Sequence, residues 1–465
     1  MKKTVIAGIV CISALSLLYG QARPFPQAPT YKYPYGYTST RITSAYADSI
    51  YGLWKTNFLS RDCSGQLRVL SDVSGVSKSE GMGYGLILTA YYGEKNLYDS
   101  LLTFYKSKLC ASADSEMGWE ATCTGWQSQS SATDGDIDAA YSCIVAYCQW
   151  GGTYLQTANT FLKRLAKNLI VICGNNIPVV GPGITNNADY GGATCTDVSY
   201  YTPAYFRIFA QATGNTLWTT LADSTLRVRN ACTNATTGLL PGAQEYNGTP
   251  SSCIAEATYG YDACRVPWRT AIDYLWNGDT VACNWCVKVT NWANGKGPKN
   301  IVDGYDLNGT ATGTNHNSAF VGGFAVGNMC NSQTMVDSFG AVMKTFTAAS
   351  GDLQYFNLSL KAMYTLVLSG NLWQPNLSTA VVPGMQEPGR MAGVRLLLNG
   401  NKLTLAGASG IRSASIVTAA GRVVASAGAS GERNAVIDVS ALGKGLYIVN
   451  IAMADGKKGM MKFVK

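Results

Sequence analysis

Ser79-Glu80-Gly81-Met82-Gly83-Tyr84-Gly85 runs directly into Leu86-Ile87-Leu88-Thr89-Ala90-Tyr91-Tyr92. A lone carboxylate stands ahead of three alternating glycines, and an apolar run of helical character follows. Glycine at every second position leaves no Cβ beside Glu80, so another backbone or a flat ligand can approach closely. The apolar run buries the segment, which puts Glu80 at the mouth of a pocket near a helix start. A carboxyl group in a tight, partly dry site suits general acid chemistry, because desolvation favours a neutral carboxyl. A helix N-terminus opposes this by only about 0.3–1 kcal/mol. Two plainer readings compete. A phosphate-cradling loop would need a preceding strand and an acid at the dinucleotide spacing, and both are missing. A structural glycine turn with a surface glutamate remains open on this stretch alone.

The same helical texture continues on both sides. Stretches with apolar residues at three- and four-residue intervals occur at 45–59, 81–92, 96–109, 136–150, 154–170, 202–213, 216–228, 266–276, 280–294, 316–328, 331–348 and 355–369. Long Gly/Ser/Thr/Asn loops separate them, and no alternating run of strands suits a parallel sheet. About twelve helices in hairpin pairs predict an all-α toroid, in which residues distant in sequence meet at the end where loops gather. Beyond Pro375, Pro383 and Pro388 the texture changes. Trp and Cys vanish, and short β-type segments follow at 402–405, 414–417, 435–439 and 446–451, with Gly/Ser/Asn turns between them. A small all-β sandwich is expected there. The boundaries drawn from these shifts are a signal peptide at 1–22, a large domain at 23–373, a linker at 374–392 and a small β domain at 393–465.

The signal peptide rests on Lys2 and Lys3 ahead of an apolar run from Val5 to Leu18, with small residues at Gly20 and Ala22. Arg23 to Tyr37 is rich in proline and tyrosine and reads as an extended arm. No later segment offers about 18 uninterrupted apolar residues, so no membrane span is expected. Thirteen cysteines follow Cys11, all between Cys63 and Cys330. In an exported chain that density favours disulfides, and the odd number leaves at least one thiol unpaired or paired between chains. Cys283-Asn284-Trp285-Cys286 lacks a second pair at zinc-ribbon spacing and His316 is the only histidine, so no metal is expected.

The net charge of +8 is unevenly spread. Residues 386–465 carry eleven basic and four acidic side chains, and residues 1–23 add three basic ones, which leaves 24–385 at −2. The large domain has no basic field, which argues against a nucleic-acid partner. Charged residues are 14% of the chain, well under the usual quarter or so. A surface of Ser, Thr, Asn, Gly and Tyr suits an uncharged polyhydroxylic ligand.

Two further clusters carry acids. In Ser131-Ala132-Thr133-Asp134-Gly135-Asp136-Ile137-Asp138, three carboxylates at i, i+2 and i+4 could ligate calcium, although the EF-hand pattern is absent. Asp134 or Thr133 could instead cap the helix that runs to Trp150. In Tyr259-Gly260-Tyr261-Asp262-Ala263-Cys264-Arg265-Val266-Pro267-Trp268-Arg269, Pro267 suits a helix start. Arg265 would hold Asp262 ionised as a base. A purely structural Asp–Arg pair is the competing reading.

Together, these three segments resemble glycoside hydrolase family 8 in order and spacing, from about residue 30 to Trp373. The stretch from Ala132 to Trp150 is the most specific, departing only at Ala139 and Cys143. Ser199-Tyr200-Tyr201-Thr202-Pro203 and Tyr355-Phe356 also look like family landmarks, with Phe356 where a second tyrosine is common. The resemblance implies an (α/α)6 barrel, no cofactor, and an inverting endo-acting hydrolase of β-1,4-linked polysaccharide. It implies Glu80 as general acid, Asp262 as general base and Asp134 as the acid holding the sugar at the cleavage point. Trp119, Tyr200, Arg265 and Tyr355 are the implied substrate contacts. Chemically, one protonated carboxyl serves the leaving oxygen and one carboxylate serves a water on the opposite face.

The closing segment, with Gly445-Leu446-Tyr447-Ile448-Val449-Asn450-Ile451 and Met461-Lys462-Phe463-Val464-Lys465, resembles the sorting domain of the type IX (Por) secretion system. A carbohydrate-binding module is the alternative, but one tyrosine and no tryptophan make a poor stacking surface. The expectation is a secreted or surface-held monomer acting on β-1,4-glucan, with secretion machinery as partner of the tail. Xylan, chitosan and a non-catalytic glycan binder are the alternatives.

Overall fold

The computed structural model describes residues 23–110, 116–185, 188–190, 192–251, 253, 257–377, 394–407, 410–418, 423–428, 434–443, 445–454 and 458–465. The expected signal peptide and most of the expected linker lie outside these residues. The chain divides into two compact units, one within residues 21–380 and one within 381–465.

The described residues of the first unit contain twelve α-helices: α1 (Ser44–Phe58), α2 (Ser79–Tyr91), α3 (Lys95–Ser107), α4 (Thr133–Trp150), α5 (Tyr154–Asn168), α6 (Pro203–Thr213), α7 (Leu217–Cys232), α8 (Val266–Asn277), α9 (Thr280–Lys296), α10 (Ser318–Gly327), α11 (Gln333–Met343) and α12 (Tyr355–Leu368). The even-numbered helices contact one another in sequence, and α12 returns to α2, which closes an inner ring. Each odd-numbered helix packs outside a neighbour, as α3 does on α2 and α5 on α4. The arrangement is an (α/α)6 barrel. Composition explains who goes inside. In α2 every residue but Glu80 is buried, and α10 is buried along its whole length. By contrast α5 buries only Ala158, Phe161, Leu162 and Leu165, a single stripe with a polar outer face.

Short antiparallel pieces occupy the loops: β1 (Leu59–Cys63) with β2 (Gln66–Val69); β3 (Ser77–Lys78), β4 (Gly118–Ala121) and β5 (Trp126–Ser131); β6 (Ile170–Cys173) with β7 (Ile177–Val180); β8 (Gly183–Thr185) with β9 (Ala188–Tyr190); and β10 (Thr196–Asp197), β11 (Ala243–Gln244) and β12 (Pro250–Ser251). The sequence reads these as loops. They are two- to six-residue ladders that form only because the helices bring distant segments side by side. Two disulfides brace them, Cys63–Cys123 and Cys195–Cys253, while nine other cysteines among the described residues are unpaired.

The arm at residues 23–37 lies against the helix ends away from Glu80. The Arg23 amide donates to Gln149 Oε1 (3.0 Å), and the amides of Gln27 and Ala28 both donate to Asn371 Oδ1. Phe25 stacks on Tyr92, and the Tyr37 amide donates to the Met329 carbonyl.

The second unit is a sandwich. One sheet has the order β13-β14-β17 (Val394–Asn399, Lys402–Gly407, Asn434–Asp438). The other has the order β16-β15-β18-β19 (Val423–Gly428, Ile411–Thr418, Leu446–Met453, Lys458–Val464). Leu403, Leu405 and Ile437 from the first sheet meet Ile416, Val449 and Ile451 from the second in one core.

Candidate active site

All six inner helices start at the same end of the barrel, and the sequence-marked acids stand at or just before those starts. β3 leads straight into α2, which makes Glu80 the second residue of that helix. Asp134 holds the same position in α4. Asp262 precedes the 3-10 turn Ala263–Arg265, which passes into α8 with Pro267 in its first turn. Tyr355 begins α12, and Tyr200 ends the 3-10 turn before α6.

Glycine is what lets α2 and α4 bring their acids together. A Cβ on Gly135 would lie 2.4 Å from the Ser79 carbonyl carbon, and one on Gly83 would lie 2.8 Å from Asp138 Cβ. Any side chain there would push the two backbones apart. Gly81 serves a second approach, because a Cβ on it would meet the Tyr355 hydroxyl at 2.5 Å.

Arg265 is the hub. Its Nη1 donates to Glu80 Oε2 (2.7 Å) and Asp134 Oδ2 (2.8 Å), and its Nη2 donates to Asp262 Oδ1 (2.5 Å). One guanidinium thus holds all three acids, not Asp262 alone as the sequence suggests. The Tyr355 hydroxyl donates to Glu80 Oε1 (3.0 Å). Exposure grades the site: side chains are 4% exposed at Arg265 and Asp134, 16% at Glu80 and 32% at Asp262. Asp262 meets the water and Asp134 lies at the floor. Burial pushes the Asp134 carboxyl up to about 7, against the pull of Arg265 and with the help of the Glu80 charge. Burial first, and nearby carboxylates after it, hold the Tyr355 and Tyr200 hydroxyls protonated.

The other acids of the second cluster leave the site. Asp136 accepts from the Tyr105 hydroxyl and the Met117 amide (3.0 Å), which anchors the strand carrying Trp119. Asp138 makes a bidentate pair with Arg269 (2.6 and 2.7 Å), both side chains buried. The three carboxylates diverge, so they do not form a calcium loop. Nor does Asp134 or Thr133 cap the helix: the N-cap is Ala132, and Thr133 Oγ1 donates to the Gly181 carbonyl.

Trp119 lies on β4, whose pairing of Glu120 with Lys78 sets it beside the start of α2. Seven of the ten tryptophans are buried, and Trp126 and Trp292 pack against the core; Trp119 is half-buried outside it. Two residues escape the sequence reading. Asp197, buried, accepts from the Ser199 amide (2.7 Å) and hydroxyl (2.6 Å), which shapes the turn bearing Tyr200. Burial, then the charge of Asp262, pushes its carboxyl well up. Its only signal is an acid two residues ahead of a serine, common in turns. Tyr261, 45% exposed, presents a ring edge-on to Phe320 and Phe356, and its hydroxyl donates to Asp303 (2.7 Å). It stands in the third acidic cluster of the sequence, directly before Asp262.

A closed α/α barrel with a carboxylate cluster at one open end offers the paired carboxyl groups that glycosidic cleavage uses, and comparison with known proteins agrees. Residues 30–371 match glycosyl hydrolases family 8, and the chain belongs to that family. It is 34% identical over 398 residues to Endoglucanase C of Ruminiclostridium cellulolyticum, covering 81% of this chain and 84% of that protein. The apo structure of a β-1,3-1,4-glucanase from Paenibacillus sp. X4 superimposes with a TM-score of 0.68 at 28% identity, covering 76% of this chain and 99% of that one. Rex8A from Paenibacillus barcinonensis, solved with xylose, shares the fold at 18% identity and a TM-score of 0.62, over 71% of this chain and 94% of its own. Residues 399–465 match the secretion system C-terminal sorting domain. Among the described residues no helix is long and apolar enough to cross a membrane.

Proposed function

We propose that this glycoside hydrolase is an exported, inverting endo-β-1,4-glucanase with Glu80 as general acid and Asp262 as general base. The observation that carries the reading is the Arg265 bridge, which binds the two carboxyls through different nitrogens and leaves Asp262 the more open to water. Inverting pairs stand about 6.5–9.5 Å apart so that a water fits behind the sugar. Glu80 gives its proton to the glycosidic oxygen as the C1–O bond breaks. Asp262 takes a proton from the water that bonds to C1 on the opposite face, so a β-linked sugar leaves as the α-anomer.

Asp134 explains how a proton stays at hand. Glu80 and Asp134 share one guanidinium nitrogen, and burial pushes the Asp134 carboxyl up to about 7. A carboxyl that holds its proton on the floor of the site, beside Glu80, is a proton source for the acid step. Trp119 and Tyr261 offer aromatic faces to pyranose rings, and Tyr200 and Tyr355 offer hydroxyls near the cleaved bond. Glucan is favoured over xylan by relatives: the endoglucanase of R. cellulolyticum matches across most of both chains, whereas the exo-oligoxylanase Rex8A matches at 26% over 43% of this one. The sorting-domain match and the basic signal-like N-terminus support export to the medium or cell surface.

The test is release of reducing ends from a soluble cellulose derivative, mixed-linkage glucan, xylan and chitosan in parallel, with the product anomer read by proton NMR. Activity highest on the β-1,4-glucans and an α-anomeric product are expected. Glu80→Gln should lower kcat by about 10²–10⁴-fold with folding intact. A β-anomeric first product ends the inverting assignment, and inactivity on every polymer favours a glycan-binding protein.

A further inference from the structure

The Cys283-Asn284-Trp285-Cys286 motif has no part in the chemistry above, and it lies at the opposite end of the barrel. Cys283 and Cys286 stand one turn apart near the start of α9, whose N-cap is Asp279. Cys330 closes the 3-10 turn Asn328–Cys330 that follows α10. Burial pushes the Cys330 thiol well up, and the neighbouring thiols of Cys283 and Cys286 push it further. Cys283 also donates to the Cys330 carbonyl at 3.7 Å. The two flanking thiols differ. Cys286 is fully buried and donates to the Pro267 carbonyl, while Cys283 is half-exposed. The three sulfurs do not converge on a common point as metal ligands would, since the only such group among the described residues is elsewhere.

We propose that Cys283 and Cys330 form a third, reversible disulfide that ties α9 to the end of α10, with Cys283 as the attacking thiol. Burial alone pushes up most of the other unpaired thiols, such as Cys143 and Cys148, and leaves them inert. Cys283 departs from that pattern. Hydrogen bonds from Cys330 and Tyr274 bring it down to about 7, in reach of solvent and beside a buried resolving thiol. The oxidant is a small-molecule or protein disulfide of the oxidising compartment, R–S–S–R. The Cys283 thiolate attacks one sulfur, the R–S–S–R bond breaks, and the first RS⁻ leaves and takes up a proton. Cys330 then loses its proton and attacks the Cys283 sulfur, expelling the second thiol. Two protein thiols are oxidised and one disulfide is reduced to two RSH.

The experiment uses the full chain, incubated with oxidised glutathione, then alkylated under denaturing conditions without reductant and mapped by mass spectrometry. Cys63–Cys123 and Cys195–Cys253 serve as internal controls. The expected result is a 283–330 cross-linked peptide, two hydrogens lighter than its reduced parts, with Cys286 alkylated. Cys283→Ser should leave Cys330 alkylated and hydrolysis of the soluble cellulose derivative unchanged. Full alkylation of Cys283 and Cys330 while both controls stay linked overturns the proposal, and so does a cross-link between Cys286 and Cys330 in the wild-type chain.

Discussion

Replacing Asp134 by Asn should stabilise the barrel, and by an amount that depends on pH. Glu80, Asp134 and Asp262 share a single guanidinium, so the fully ionised cluster carries a formal excess of two negative charges in a largely buried site. The carboxyl of Asp134, ordinarily titrating at 3.8, is carried to about 7. A displacement of that size corresponds to at most about 4 kcal/mol of resistance to ionisation in the folded chain. The sign follows from linkage. Below about pH 4 the residue is protonated in folded and unfolded chains alike, and Asn changes little. As pH rises towards 7 the unfolded aspartate ionises freely while the folded one resists, so the wild type loses stability that the variant keeps. Asn retains an oxygen for Arg265 Nη1, so the hub is not stranded. Urea unfolding followed by tryptophan fluorescence between about pH 4 and pH 8 reads the difference, expected to grow from near zero to about 1–4 kcal/mol in favour of the variant. Hydrolysis should fall at the same time, a stability–activity trade-off. Parallel pH profiles, or a variant weaker than wild type at pH 8, would mean that the attraction to Arg265 outweighs burial and would refute the reasoning.

Other outcomes follow from the same geometry. Trp119→Ala should raise KM for soluble glucan about tenfold, equivalent to about 1.4 kcal/mol, while thermal unfolding is unchanged because the ring lies outside the core. An unchanged KM removes Trp119 from the cleft. Asp138→Ala strands the buried Arg269 guanidinium and should cost about 3–5 kcal/mol, seen as a large fall in Tm. Gly135→Ala drives a Cβ into the Ser79 backbone and should destabilise by more than about 1–3 kcal/mol, with loss of activity. A fully active, equally stable Gly135→Ala protein would show that α2 and α4 do not depend on that contact.

The barrel was legible because helix periodicity is a local signal. The twelve helices fall on the stretches expected, since apolar residues recur at three- and four-residue intervals in each, with most of α2 and α10 buried and a single stripe of α5. Boundaries blur where a cap is missing: α4 begins at Thr133 rather than 136 because Ala132 offers no capping side chain. The loop strands were not legible. β3 pairs with β4 across forty residues, and β5 reads Trp-Gln-Ser-Gln-Ser-Ser, with no run of β-branched residues to mark it. At the site, the three acids are marked by their motifs. That one arginine binds all of them is not, because it depends on where three helix starts meet in space. Asp197 is invisible for the same reason.

The docked arm bears on when the chain can fold. Arg23, Gln27, Ala28 and Tyr37 are fastened to side chains and carbonyls supplied by positions 149, 329 and 371, and α12 must contact α1 and α2 to complete the circle. Nothing short of nearly the whole catalytic sequence can therefore seal the ring. A nascent chain lacking its final helix stays open however much of it has emerged, since closure over such long separations is slow and comes last. For a polypeptide that carries a secretion sorting domain, that delay keeps it threadable until synthesis is almost finished.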